Sequence, residues 1–411
     1  MSTELEIYYG DIPVGTFGLT PQADYYIEYA SAWQEQGFPI SVHLPLAQTR
    51  HEGKKVEYFI ENLLPEAELR RAIAQKHGIS ENNYFSMMRE IGRDCAGAFS
   101  LGGPQSTGRY EQLDTPRLRA LLKSLPQYPL AMNREGVSFS LAGAQNKIPL
   151  HIHGGQFELP KGGAASNCII KTPMQHAQHS VTNEYFCMQL AEHVLPEVAS
   201  TEYLALEELS SLVVHRYDRN IVDHQLVRIP QEDFCQLAGL PSRLKYESEG
   251  GPGFAECAAI IRAYCSIPAR ELLKLLKWAI FNLCIGNMDA HAKNLSLLTS
   301  GTQRNLAPFY DLISTLYYEE FSKELAMSIG GRRNPDKIGL VQWQKFAEDT
   351  GLPVALVLQN VNHLIKRIID ALPKTAASLS SELPHTAFIA DLKQFILNRC
   401  ILLQRKLNRL S

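Results

Sequence analysis

The chain has 411 residues, 45% of them hydrophobic, enough for more than one packed domain. Lys and Arg number 40 against 43 Asp and Glu, a formal net charge of −3, which excludes a global basic field for nucleic acid but leaves room for a local patch. The 8 cysteines form no Cys-x-x-Cys pair and several lie in apolar helical patterns, as buried thiols of a reducing compartment do. The start, Met-Ser-Thr-Glu-Leu-Glu, lacks the basic and apolar regions of a signal peptide. The longest apolar pattern, 272–285, is interrupted by Lys274 and Lys277 and cannot serve as a membrane span. These features predict a soluble cytoplasmic protein with no membrane partner.

Residues 1–105 open with strand-like runs. Segments 5–9 and 14–19 flank the turn Gly10-Asp11-Ile12-Pro13, and 24–30 alternates polar with apolar or aromatic residues. Helical patterns follow over 58–77 and 83–91. This N-terminal α+β subdomain carries no constellation of catalytic residues and reads as a packing or regulatory module. Residues 106–130, with Pro116, Pro126 and Pro129, read as a connecting segment holding one short helix.

From 131 to 217 the pattern is strand-rich. Ser138-Phe139-Ser140-Leu141-Ala142-Gly143-Ala144-Gln145-Asn146-Lys147 leads into strand 148–152, the turn Gly154-Gly155 and strand 156–159. Small residues at such a turn let backbone N–H groups approach a phosphate, although an ordinary hairpin has the same pattern. Cys168-Ile169-Ile170-Lys171 is an apolar strand ending in lysine. Ser180 or Thr182 is placed to cap a helix over 183–193 that carries Glu184. Leu212-Val213-Val214 is a buried strand leading to His215-Arg216-Tyr217-Asp218. That run imitates a His-Arg-Asp catalytic motif, but a tyrosine intervenes and Asp223 stands where an asparagine is needed. A hinge whose backbone reads adenine suits the place better.

Residues 218–411 are mainly helical. The strongest helix covers 270–285, with a broad Leu/Ile/Ala face, Glu271, Lys274 and Asn282 on its polar side, and Gly286 to end it. Three more helices are expected over 340–349, 354–372 and 386–410. Immediately after Gly286 come Asn287-Met288-Asp289-Ala290-His291-Ala292-Lys293-Asn294. Asp289 and Asn294 have the Asp-x-x-x-x-Asn spacing of a protein-kinase catalytic loop. Beyond Asn294, a short strand 295–298, the turn Thr299-Ser300-Gly301-Thr302 and a return strand 305–309 make a hairpin that ends at Tyr310-Asp311. A hairpin brings its ends together, so Asn294 and Asp311 should lie side by side as oxygen ligands for Mg²⁺. Asp289 is then free to accept a proton. The spacing alone occurs by chance; the glycine, hairpin and terminal aspartate together favour phosphoryl transfer.

Five stretches resemble the HipA-type serine/threonine kinases, toxins of bacterial toxin–antitoxin pairs. They are Ser140-Leu-Ala-Gly-Ala-Gln-Asn-Lys147, Arg228-Ile-Pro-Gln-Glu-Asp-Phe-Cys-Gln236, Lys245-Tyr-Glu-Ser-Glu-Gly-Gly-Pro252, Gly286-Asn-Met-Asp-Ala-His-Ala-Lys-Asn294 and Pro308-Phe-Tyr-Asp311. Phe59-Ile-Glu-Asn-Leu-Leu-Pro65 is similar to the family's N-terminal subdomain. The resemblance implies an α+β, protein-kinase-like bilobal fold, with a β-rich N-lobe at 131–217 and a helical C-lobe at 218–411. It implies Asp289 as catalytic base and Asn294 and Asp311 as Mg²⁺ ligands. ATP would be held by Ala142, Gly143, Ala144, Gln145, Asn146, Lys147, Lys171, the backbone of His215, Arg216 and Tyr217, and by His291, Ala292, Lys293, Asn294, Tyr310 and Asp311. Ser140 matches the family's autophosphorylation position, with Ser138 as competitor. The implied partners are a helix-turn-helix, HipB-like antitoxin that carries operator DNA, and an aminoacyl-tRNA synthetase as substrate. Asp289 lacks a preceding His-Arg and Asp311 is followed by Leu-Ile, so kinase-style activation-loop control is not expected.

Two functions of different class fit these residues. One is an active ATP–Mg²⁺ kinase toxin; the other is a nucleotide-binding pseudokinase that acts as co-repressor with its DNA-binding partner. Retention of Lys171, Asp289, Asn294 and Asp311 together favours the first, since a pseudokinase has no chemical need for all four.

Overall fold

Alternation at the start of the chain puts Leu5, Ile7, Val14, Phe17 and Ile27 into one buried cluster. The strands that carry them, β1 (Glu4–Tyr9), β2 (Ile12–Leu19) and β3 (Tyr25–Tyr29), are joined by β4 (Arg50–Glu52) and β5 (Phe99–Leu101) in the order β4-β3-β2-β1-β5. The structure, a computed structural model, describes residues 3–125, 146–223 and 225–408. It divides the chain into two compact units: Met1–Thr172 with Leu204–Ser242 and Leu298–Ser300, and Pro173–Tyr203 with Arg243–Leu297 and Gly301–Ser411. Among the described residues no helix is long and apolar enough to cross a membrane.

In the first unit, α1 (Ser31–Gln36), α2 (Lys54–Leu63), α3 (Ala67–His77) and α4 (Tyr84–Ile91) add Trp33, Phe59, Ile73 and Met88 to the same core. The single helix expected over 58–77 is two. Leu64 takes an extended backbone (φ −77, ψ 153) because the proline after it disfavours helical geometry. The expected connecting segment also carries more structure than foreseen, with β6 (Arg109–Leu113) ahead of α5 (Thr115–Ser124). β6 closes the edge of a second sheet made with β7 (Lys147–His153), β8 (Gln156–Lys161), β9 (Cys168–Lys171), β10 (Thr201–Leu206) and β11 (Leu209–His215), ordered β10-β11-β9-β7-β8-β6. Gly154 and Gly155 have φ of +56° and +76°, which the tight turn between β7 and β8 requires. After β9 the chain passes to α6 (Ser180–Val194) in the second unit. That helix begins after His179 in a left-handed conformation, not at a serine or threonine cap; the Ser180 hydroxyl instead accepts the Met174 N–H at 2.9 Å.

Beyond β11, the hairpin β12 (Arg219–Val222) and β13 (Gln225–Arg228) is followed by β14 (Gln231–Asp233) and the short helix α7 (Phe234–Ala238). This stretch is sewn to the N-terminal subdomain. Glu232 accepts the Val42 N–H at 3.1 Å, Gln236 donates to the Phe59 carbonyl at 3.2 Å, and Ser242 donates to Glu61 at 2.6 Å. Beneath it lies a solvent-excluded ion cluster. Asp94 meets Arg219 at 2.9 Å and Arg228 at 3.3 Å, and Asp218 meets Arg216 at 2.7 Å and Arg219 at 2.9 Å. Arg216 and Arg219 also donate to the Cys95 carbonyl. Burial alone would raise the Asp94 carboxyl, but the guanidiniums of Arg216, Arg219 and Arg228 outweigh it and hold the group below the usual carboxylate range.

The second unit is built around α9 (Pro268–Ile285), packed by α8 (Phe254–Tyr264), α11 (Val354–Glu382) and α12 (Thr386–Asn408), with α10 (Leu340–Thr350) against α8 and α11. The residues expected on the polar side of α9 are buried too. Glu271 and Lys274 pair at 3.2 Å, Lys274 reaches Glu197 at 2.8 Å, and Glu271 accepts the Leu306 N–H at 3.0 Å. Their charges are neutralised internally, so burial extends beyond the apolar face of the helix, while Leu273 and Lys277 stay half-buried. The helix expected over 354–372 runs on through Pro373 to Glu382, because Thr375, Ala376 and Leu379 continue the buried stripe.

The cluster in the first unit makes a prediction. Asp94→Ala leaves three buried guanidiniums short of an anion and should lower unfolding stability by about 3–5 kcal/mol in urea. Because the folded carboxyl is depressed, its contribution is complete above the ordinary Asp value of about 3.9 and is lost as pH falls through the lower folded value. A variant within about 0.5 kcal/mol of wild type would contradict the structural role.

Candidate active site

Helix α9 delivers the loop that follows it. Gly286 ends the helix with φ of +77°, and a Cβ there would lie 3.1 Å from Leu316 and 3.2 Å from the Arg399 side chain, so conformation and space both call for glycine. The Met288 N–H donates to Thr315 Oγ1 at 2.7 Å, and its carbonyl accepts the Ala326 N–H at 3.0 Å. Met288 and Ala290 are buried, whereas Asp289 between them is exposed. The loop is thus nailed down on both sides of one projecting carboxylate.

Asn287 links the parts. Its Nδ2 donates to Asn282 Oδ1 at 2.8 Å and to the Asp311 carbonyl at 3.3 Å, while its Oδ1 accepts the Asp289 N–H at 3.1 Å. Asn294 closes the short 3-10 turn Ala292–Asn294; its Oδ1 accepts the His291 N–H at 3.1 Å and its Nδ2 donates to Asp311 Oδ2 at 2.9 Å. The expected approach of Asn294 and Asp311 is therefore made directly, across the foot of the hairpin β15 (Ser296–Ser300) and β16 (Gln303–Leu306). The return strand is earlier than the sequence suggested, ending at Leu306, and the Ala307 N–H bonds the Ser296 carbonyl at 2.8 Å. Asp311 has φ of +60°, a left-handed conformation that costs a non-glycine residue about 1–3 kcal/mol. Its neighbours hold it there: Asn183 of α6 donates to the Ser314 carbonyl at 3.1 Å and accepts the Ser314 N–H at 2.9 Å.

The other expected residues of this unit have defined places. The Tyr310 hydroxyl donates to the Lys293 carbonyl at 2.7 Å and lies 3.0 Å from Ser296 Oγ, so it braces the hairpin. His291, Ala292 and Lys293 are all buried, and the Ala292 N–H donates to the Lys245 carbonyl at 3.3 Å. Tyr246, which the sequence gave no role, donates its hydroxyl to Asp289 Oδ1 at 2.8 Å. Neither Asn287 nor Tyr246 could be found from spacing, because both act through hydrogen bonds to loop atoms.

In the first unit, Lys147 and Lys171 are directly opposed across β7 and β9. Their side chains therefore share one face of the strand pair. The Asn146 carbonyl accepts the Thr172 N–H at 3.2 Å, fixing the end of the small-residue turn to the end of β9. Ser138, Ser140, Ala142, Gly143, Ala144 and Gln145 lie outside the described residues. At the hinge, His215 ends β11, but the Arg216 N–H is bonded to the Asn167 carbonyl at 2.9 Å and its side chain is spent in the ion cluster. Of the three residues expected to face adenine, Arg216 has its amide and side chain committed to the protein itself.

Asp311 offers a carboxylate of the kind Mg²⁺ takes together with phosphate and water, whereas Asn294 turns its Nδ2 to Asp311 and its Oδ1 to the His291 N–H, so its amide would have to rotate to bring an oxygen to the same ion. Among the described residues no group of three or more His, Cys, Asp or Glu could form an all-protein cage for a different metal.

The HipA-like C-terminal domain matches residues 139–376, and the HipA N-terminal domain matches 5–102. The chain belongs to the HipA family. It is 36% identical over 388 residues to Y4mE of Sinorhizobium fredii, which bears a kinase name, covering 92% of each chain. It is 30% identical over 413 residues to the serine/threonine-protein kinase toxin HipA of Shewanella oneidensis, covering 96% of this chain and 95% of that one. The solved complex of Shewanella HipA with HipB and operator DNA superposes with a TM-score of 0.87 at 28% identity, over 98% of this chain and 97% of that one. The protein is a kinase with the α+β, kinase-like fold of this family.

Metal binding should depend on Asp311. Asp311→Ala is expected to weaken ATP binding measured calorimetrically with Mg²⁺ by at least ~10-fold and to change metal-free binding much less. Equal weakening of both titrations would make the residue structural.

Proposed function

We propose that this HipA-family chain is an ATP- and Mg²⁺-dependent serine/threonine protein kinase, the toxin of a toxin–antitoxin pair. The observation that carries the reading is the 2.9 Å bond between Asn294 and Asp311, two residues from separate ends of one hairpin, beside the exposed Asp289. Asp289 accepts the proton of a serine or threonine hydroxyl as that oxygen attacks the γ-phosphorus. Lys147 and Lys171 ground the phosphates, and Asn294 and Asp311 hold the metal. Mg²⁺, when bound, neutralises charge developing on the phosphate oxygens. The backbone at His215 and Tyr217 reads adenine, and Ala142, Gly143, Ala144 and Gln145 line the phosphates.

A HipB-like, helix-turn-helix antitoxin is the regulatory partner, supported by the HipB and operator DNA bound to the Shewanella protein. Operator DNA is reached through that partner, in keeping with a net charge of −3. An aminoacyl-tRNA synthetase is the acceptor, and the cytoplasm is the place of action. Phosphorylation of Ser140 adds about −1.5 to −2 charges next to the small-residue turn and so opposes ATP phosphates.

One labelling experiment tests this reading. Incubation with γ-labelled ATP, Mg²⁺ and a cell extract should label an acceptor protein on serine or threonine, and fragment mass spectrometry should find phosphate on Ser140 of the chain. Asp289→Asn should lower transfer by roughly 10² to 10⁴ while nucleotide still binds. Binding of ATP with no transfer by the wild type would instead support a pseudokinase co-repressor.

A further inference from the structure

Of the stretches that mark the family, Lys245 to Pro252 has no part in the ATP or metal contacts of the kinase. It lies in the second unit, against the loop that carries Asp289. The Lys245 carbonyl accepts the Ala292 N–H at 3.3 Å. The Glu247 N–H donates to the Ala326 carbonyl at 3.3 Å, and its carboxylate accepts the Ser328 hydroxyl at 2.7 Å. Ala326 in turn donates to the Met288 carbonyl at 3.0 Å. Tyr246 therefore sits in a frame fixed on both sides to the loop, and its ring meets His291 edge-on, with centroids 5.3 Å apart.

From that frame the Tyr246 hydroxyl donates to Asp289 Oδ1 at 2.8 Å. Asn287 fixes the backbone N–H of Asp289 but not its carboxylate. Among the described residues, Tyr246 is the group bonded to the carboxylate itself. An exposed aspartate side chain has two torsions to settle, and a base must present its lone pair within hydrogen-bond reach of the acceptor hydroxyl. An ionised carboxylate accepts at both oxygens, so occupation of Oδ1 leaves Oδ2 for another donor.

We propose that Tyr246 is a positioning residue for phosphoryl transfer: its hydroxyl holds Oδ1 of Asp289 so that Oδ2 faces the serine or threonine hydroxyl of the protein substrate. In the transfer step the acceptor oxygen forms its bond to the γ-phosphorus as the bond from that phosphorus to the β,γ-bridging oxygen breaks. The acceptor proton passes to Oδ2, ADP leaves, and the tyrosine keeps its own proton throughout. The inference rests on Asp289 being the base.

The test is Tyr246→Phe, which keeps the ring and removes the hydroxyl. The rate of transfer from γ-labelled ATP to proteins of a cell extract is measured, with ATP affinity and thermal melting measured alongside. Loss of one hydrogen bond to a charged group predicts a kcat lower by roughly 5- to 100-fold. ATP affinity and the melting temperature should stay at wild-type values. An unchanged rate overturns the proposal, as does an increased rate, which would make the tyrosine an occupant of the acceptor's place. A fall in ATP affinity and melting temperature along with the rate overturns it as well, since the residue is then structural. Asp289→Asn separates the two levels. If that variant transfers phosphate normally, the active-site reading fails; if it is inactive while Tyr246→Phe matches wild type, the tyrosine's role alone fails.

Discussion

The side-chain amide of Asn287 is the interaction on which the candidate site depends. A single planar group bonds the end of α9 through Asn282, the backbone of Asp289 and the backbone of Asp311. Each of these bonds is modest, about 1 kcal/mol net in water. Buried together, they fix the distance between a prospective base and a prospective metal ligand. The left-handed backbone at Asp311 persists because Asn287 holds the Asp311 carbonyl and Asn183 holds Ser314 three residues on. Catalysis of phosphoryl transfer is mostly positioning and charge stabilisation, so a rigid frame of this kind is what the chemistry needs.

Much of this was legible in the sequence, for identifiable reasons. Periodicity placed α9 and the first strands, because burial of one face dominates those elements. The turn at Gly301 and the spacing from Asn294 to Asp311 placed those two residues together, since a hairpin constrains its own ends. The exceptions have equally physical origins. Glu271 and Lys274 looked solvent-facing, yet pair internally, and pattern alone does not separate a paired charge from a solvated one. Arg216 looked like hinge, but its guanidinium belongs to contacts with Asp94 and Asp218, one far away in sequence. Tyr246 and Asn287 lie within the family stretches, yet spacing gives them no function, because their roles exist only as hydrogen bonds in three dimensions.

The two units handle charge differently. In the first, five ionisable groups are buried to join the N-terminal subdomain to the second sheet, and their attraction is spent on structure. Replacing such a network with apolar residues is often neutral, whereas removing one partner is costly, so it specifies an arrangement more than it adds stability. In the second, Asp289 is left exposed at the tip of an otherwise buried loop. Membership in the HipA family adds that this pattern is one of a kinase, with the Shewanella relative as a solved example of the whole chain.

Asn287 ties the backbone of Asp289 to that of Asp311. The decisive measurement is kcat and Mg²⁺-dependent ATP affinity of Asn287→Ala in the same preparation. Both should fall, kcat by at least ~10-fold, because the Asp289 and Asp311 backbones lose a shared anchor. A variant with a lowered melting temperature but wild-type kcat and wild-type Mg²⁺-dependent affinity would show that the amide does not serve the site.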